Sequence, residues 1–137
     1  MRLVFELHKT DVLNANVAKH HMVKSKIVRK LRNISYEKGI ETPAKFQHCK
    51  VDITICPPTA RKIDPPNLYP TIKALIDGLT DAEWWEDDNF KHLLEFSFKY
   101  GGTSGIKEHF IIILDINEIE NTDKYKLDTK PIVLDND

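Results

Sequence analysis

DPPNLYPTIKALIDGLTDAEWWEDD, residues 64–88, holds a stiff loop, a helix and an acidic turn in a single run. Pro65 and Pro66 remove backbone donors and fix φ, which leaves Asp64 on an irregular loop. Pro70 suits a first helical position, and Ile72, Leu75, Ile76 and Leu79 form the apolar stripe of a helix reaching about Asp81. Lys73 and Asp77 are four apart and fall on one side of that helix. The only two tryptophans, Trp84 and Trp85, then stand before Glu86, Asp87 and Asp88. Two readings are open: the indoles anchor a turn whose acids keep it hydrated, or the acids are held rigid against a divalent cation.

Upstream, Cys49, Val51, Ile53 and Ile55 alternate with Lys50, Asp52 and Thr54, so 46–56 reads as a half-buried strand ended by Pro57 and Pro58. Leu3, Phe5 and Leu7 alternate with Arg2, Glu6 and His8 in a first strand. Between them, 14–38 reads as a long helix with Asn14 or Asn16 as its N-cap and Gly39 as its stop. Val17, Val23, Ile27, Val28, Leu31 and Ile34 share one arc of that helix; Lys19, Lys26, Arg29 and Lys30 gather opposite. His20 falls in the apolar arc and is expected to pack. Downstream, Leu94 to Tyr100 and Phe110 to Leu114 alternate on either side of GGTSG, which predicts an antiparallel hairpin. The expected fold is α/β (α+β): a small mixed sheet of about four strands with two main helices.

With 137 residues the chain suits one domain that buries roughly 65 to 70% of its unfolded surface. Its 41% hydrophobic and 30% charged composition fits a soluble globular protein, with no apolar run of the ~18 residues a membrane span needs. MRLVFELHK alternates as a strand does and lacks a signal-peptide core, so a cytoplasmic protein is expected. Cys49 and Cys56, seven apart, match no CxxC or zinc pattern and are read as reduced and structural.

The net charge of −1 conceals a separation: 14–38 carries seven Lys or Arg against one Glu, whereas 81–95 carries six acids against Lys91. Basic helices of this kind bind nucleic acid through counterion release, and otherwise simply face solvent. Asp64, Asp77, Asp87 and Asp88 flank one helix, and Mg²⁺ needs only one or two carboxylates beside water and phosphate oxygens. The competing reading makes them turn residues and solvated acids. The tryptophans suit core anchoring better than base stacking, and GGTSG lacks the lysine of a phosphate-binding loop. His48, His92 and His109 are scattered and receive no role.

Taken whole, 64–88 resembles the RusA family of Holliday junction resolvases, with Asp64, Asn67, Lys73, Asp77 and the pair Asp87 and Asp88 at motif positions. LNANVAKHHMVKSKIVRKLR, residues 13–32, is similar to the family's Asn-containing loop and basic helix. The resemblance spans 1–117 as one endonuclease domain and leaves 118–137 as an acidic tail. Pro66 departs from the pattern, standing where the family has a second Asp.

The resemblance implies a homodimeric endodeoxyribonuclease dependent on Mg²⁺ or Mn²⁺ that resolves branched DNA by symmetric phosphodiester hydrolysis in recombination and repair. It implies catalytic roles for Asp64, Lys73 and Asp88, and metal binding by Asp64, Asp77, Asp87 and Asp88. DNA contacts would come from Lys19, Lys26, Arg29, Lys30 and Arg32. The alternatives are a DNA-binding module of the same fold with weakened catalysis, or a metal-dependent hydrolase acting on no nucleic acid.

Overall fold

The computed structural model describes residues 1–135. Its elements are β1 (Arg2–His8), α1 (His21–Glu41), β2 (Cys49–Cys56), α2 (Tyr69–Asp81), β3 (Leu93–Tyr100) and β4 (His109–Glu118), with short 3₁₀ turns between them. The fold is α+β: a four-stranded mixed sheet in the order β1–β4–β2–β3 carries two helices. β4 pairs antiparallel with both β1 and β2, whereas β2 and β3 are parallel. Parallel neighbours need a crossover, and α2 supplies it between β2 and β3.

The alternation read from the sequence sorts the faces. Leu3, Phe5 and Leu7 of β1 are buried beside Ile112 and Leu114 of β4, and Val51, Ile53 and Ile55 of β2 continue that layer. Ile27 and Leu31 of α1 and Ile72, Leu75, Ile76 and Leu79 of α2 close over it as a single core. On the reverse face Val4 is exposed and Arg2 pairs with Asp115 at 2.7 Å. Both cysteines are free and buried, and burial pushes the Cys49 thiol up to about 12, so Cys49 is not a reactive thiolate.

Four local expectations are corrected. The sheet has no β3–β4 hairpin: β2 lies between those strands, and 101–108 crosses the end of β2. The Gly101 amide donates to the Ile55 carbonyl at 2.9 Å and that of Ser104 to Pro57 at 2.8 Å. A Cβ on Gly101 would lie 2.4 Å from Thr54 Cγ2, so glycine is what lets the chain cross there.

The first helix begins at His21, not near Asn14, because the preceding chain is tied elsewhere. The Leu13 amide donates to the buried Thr71 Oγ1 at 2.7 Å, that hydroxyl donates back to the Leu13 carbonyl, and the Ala15 amide donates to Asn67 O at 2.8 Å. Asn14 turns its own loop by accepting from the Asn16 amide. His20 does not pack; it is exposed and caps α1 by accepting from the Met22 amide.

Gly39 does not stop α1 but lies buried within it. A Cβ there would meet Ala82 Cβ at 2.7 Å and Trp84 Nε1 at 3.3 Å, so the acidic turn packs directly against this glycine. Gly78 does the same at the helix crossing, where a Cβ would lie 2.4 Å from Arg32 O; Ser35 Oγ donates to Leu75 O nearby at 2.6 Å. The tail leaves β4 to form a 3₁₀ turn at Asp123–Tyr125, whose Tyr125 hydroxyl donates to Glu95 on β3 at 2.6 Å.

Candidate functional site

The outward stripe of α2 is Tyr69, Lys73 and Asp77, spaced by four, while its remaining faces are buried in the core. Its C-terminus ends in a Schellman arrangement: the Glu83 amide donates to Thr80 O at 3.0 Å and that of Trp84 to Leu79 O at 3.1 Å. Glu83 takes the left-handed conformation, φ 64°, that this motif reserves for glycine. Both indoles then turn inward, 0% and 1% exposed, with ring centroids 6.4 Å apart in an edge contact. Trp84 Nε1 donates to Gly39 O at 3.0 Å and Trp85 Nε1 to Thr80 Oγ1 at 2.6 Å, so neither is offered to a base.

This anchoring brings Asp88 back to α2. The Lys73 ammonium donates to Asp77 Oδ1 at 2.8 Å and also to Asp88 Oδ2, bridging two carboxylates eleven positions apart. Burial alone would push the Lys73 ammonium down, but the two hydrogen bonds outweigh it and hold its pKa above normal. Asp88 is held below the usual carboxylate range, first by its bond from Lys73. Asp77 is raised: desolvation and the Asp88 charge together exceed the help it receives from Lys73. One cation thus serves two acids and leaves a net negative charge on this half-buried trio.

The other expected ligands join neither ion pair of this trio. Asp87 is exposed and turned back on its own backbone, its Oδ1 accepting from the Asp88 amide at 2.8 Å. It also lines a hollow of about 600 Å³ with Glu86, His48 and His92. Asp64 is exposed, and its carbonyl accepts from the Asn67 amide at 2.9 Å. Its carboxylate joins none of the hydrogen bonds of the trio. Among the described residues no group of three His, Cys, Asp or Glu side chains is arranged to hold a metal ion. Asp77 and Asp88 supply two carboxylates, and Mg²⁺ needs only one or two beside water and phosphate oxygens.

Of the expected DNA contacts, Lys26 and Arg29 project from α1 and are exposed, while Lys19 lies in the loop before the helix. Lys30 and Arg32 are already engaged: Lys30 pairs with Asp11 at 2.7 Å, and Arg32 forms a two-pronged pair with Asp81, its Nη2 donating to Oδ1 at 2.8 Å. That bond lowers Asp81 and raises Arg32. Sequence reasoning missed a second group of cations where the strands end, Lys9, Arg61, Lys62 and Lys107, because they are far apart in the chain.

No family model matches the chain, and no curated protein matches it. Among solved structures it is similar to the hydrogenase maturation protein HypE in complex with ATP at 7% identity and a TM-score of 0.31. That likeness covers 86% of this chain but only 30% of the other, and a likeness so low says nothing about chemistry. No helix among the described residues is long and apolar enough to cross a membrane.

Proposed function

We propose that this chain is a RusA-like, divalent-metal-dependent endodeoxyribonuclease that acts in the cytoplasm as a homodimer on branched DNA. The observation that carries this reading is the meeting of Lys73, Asp77 and Asp88, three motif positions that the fold joins by ion pairing. Asp77 and Asp88 would hold Mg²⁺ or Mn²⁺. When bound, such an ion neutralises phosphate charge and acidifies a water for in-line attack.

With a cation on Asp77 and Asp88, Lys73 would be free of one or both carboxylates. Its ammonium then stabilises the negative charge that builds on the phosphate oxygens. The buried indoles hold Asp88 at a fixed distance from α2, so the two carboxylates remain close despite their repulsion. Asp64, on its proline-stiffened turn, joins as a further ligand only if DNA or metal draws that turn inward. A dimer supplies two equivalent sites for two symmetric cuts.

A second reading has its own support: Lys73 already neutralises part of the carboxylate charge, as a purely structural ion pair would. The chain would then be a DNA-binding module of this fold that does not cleave. Incubation of a labelled four-way junction with the protein, with and without Mg²⁺, separates the two. Paired nicks that require Mg²⁺ and vanish in Asp88→Asn support the nuclease; binding without nicks at any Mg²⁺ or Mn²⁺ concentration supports the module.

A further inference from the structure

Three adjoining hollows run across the end of the sheet where β1 and β2 finish and β4 begins. The first, of about 500 Å³, is lined by Lys9, Arg61, Lys62 and Lys107 together with Pro57 and Phe110. The second, of about 220 Å³, shares Lys9, Ile63 and Phe110 with it and adds Lys19. The third, of about 190 Å³, shares Lys19 with the second and reaches Lys24 and Pro70, in the first turns of α1 and α2. Shared lining makes them one continuous track.

The charge along it is lopsided. Glu108 is the one acid in the first hollow, and it is engaged by His8 at 3.4 Å and Lys9 at 3.8 Å. Among the described residues Arg61, Lys62, Lys107, Lys19 and Lys24 have no carboxylate within ion-pair distance. This sets them apart from Lys30 and Arg32, whose charges Asp11 and Asp81 already meet; Lys26 and Arg29 on α1 are equally unpaired but line none of the three hollows. Cations left unpaired on several separate segments and facing one groove repel each other, and a polyanion relieves that repulsion.

We infer that this track, more than the side of α1, carries the DNA strand, with Arg61, Lys62 and Lys107 contacting successive phosphates. The occupant is a strand and not a single nucleotide, because the cations continue from Lys107 to Lys24 through three hollows. The direction also fits the chemistry. Pro70 lines the far end, and Lys73 lies one helical turn beyond it, about 4.5 Å along the axis. Asp64 follows Ile63, a lining residue, so the stiff turn borders the same path.

The inference rests on the reading of the chain as a DNA-acting protein but not on cleavage. The test is fluorescence anisotropy with a labelled four-way junction in EDTA, across a salt series. It compares the parent with Arg61→Ala/Lys62→Ala/Lys107→Ala and with Lys26→Ala/Arg29→Ala. All five side chains are exposed, and melting temperatures check that both variants fold.

The expected result is a loss of affinity of ~10-fold or more in the triple variant, with the slope of log K against log salt flattened by up to ~0.9 per lost contact. The α1 variant should change much less. A triple variant with the parent's affinity and slope, or a larger loss in the α1 variant, overturns the track and leaves the nuclease reading standing. Loss of junction binding in the triple variant by a parent that never cleaves upholds the track and sinks the nuclease reading. A parent that binds no DNA overturns the track outright.

Discussion

Replacing Lys73 with methionine keeps the length of the side chain and removes the charge between Asp77 and Asp88. Both carboxylates bond the same ammonium, so their bonded oxygens lie within about 6 Å of each other, two bonds of about 3 Å each. Unit charges at that separation repel by about 0.7 kcal/mol at the dielectric of water and about 2.8 kcal/mol at an effective value of 20. That repulsion is present in the parent too; what the variant loses is the two ion pairs that offset it, each about 0.2–1 kcal/mol for an ammonium whose side chain is 44% exposed. A loss of about 1 kcal/mol at pH 7 is expected, or roughly 4 °C in Tm for a chain of this size.

The pH profile is the sharper readout. In the parent Asp88 is depressed, so its contribution is present above the unfolded carboxylate value of about 3.9 and disappears as pH falls through its lower folded value. Without Lys73, Asp77 keeps desolvation and its contact with Asp88, which raise it, and Asp88 loses its largest lowering cause while keeping those from Asp77 and Asp87. In the parent the raised Asp77 already costs some stability as pH rises above about 4; with Lys73 gone Asp77 rises further, so the variant should lose stability more steeply than the parent over about pH 4 to 7. Altered packing by the methionine shifts the whole curve but not its slope. Thermal unfolding from pH 3 to 7 measures both. Parallel curves would refute the bridging role of Lys73.

Asp88→Asn nearly preserves shape while removing a ligand charge, so junction cleavage should fall below detection while binding in EDTA stays within a few fold; retained cleavage would remove Asp88 from the site. Gly78→Ala drives a methyl into the backbone of α1 and should cost about 1–3 kcal/mol or more, read as a lower urea midpoint. Glu83→Gly relieves a left-handed residue at the end of α2 and should add up to about 1 kcal/mol by the same measurement; a loss would mean that the Glu83 side chain stabilises the turn.

The strands and α2 were legible because each rests on local pattern: period-2 alternation for β1 and β2, and Pro70 followed by an apolar stripe for α2. The start of α1 was not, because nothing near Asn14 says that Thr71, fifty-eight residues away, will hold the Leu13 backbone. The hairpin reading failed for a related reason. GGTSG suits a tight turn, yet Gly101 serves to pass over Thr54 and Cys56 while β2 inserts between the two strands. In the site, the four-residue spacing of Lys73 and Asp77 announced their pairing. The basic track was hidden, since Lys9, Arg61, Lys62 and Lys107 meet only when β1, β2 and β4 end together.

The tryptophans explain how a pairing that is local in α2 reaches Asp88. A carboxylate on a free turn would swing away from Asp77, because two negative charges held close together repel. Here the turn cannot swing: the Schellman bonds fix its departure from α2, and Trp84 is tied to Gly39 inside α1. Truncating either indole would remove roughly 3–5 kcal/mol of buried packing, more than the repulsion it opposes. The core thus holds Asp88 in a position its charge resists, and that confinement favours capture of a cation, whether the Lys73 ammonium or a divalent metal. Hydration and rigidity, the alternative readings of this turn, fall to different residues: Glu86 and Asp87 are exposed to water, while Asp88 is held.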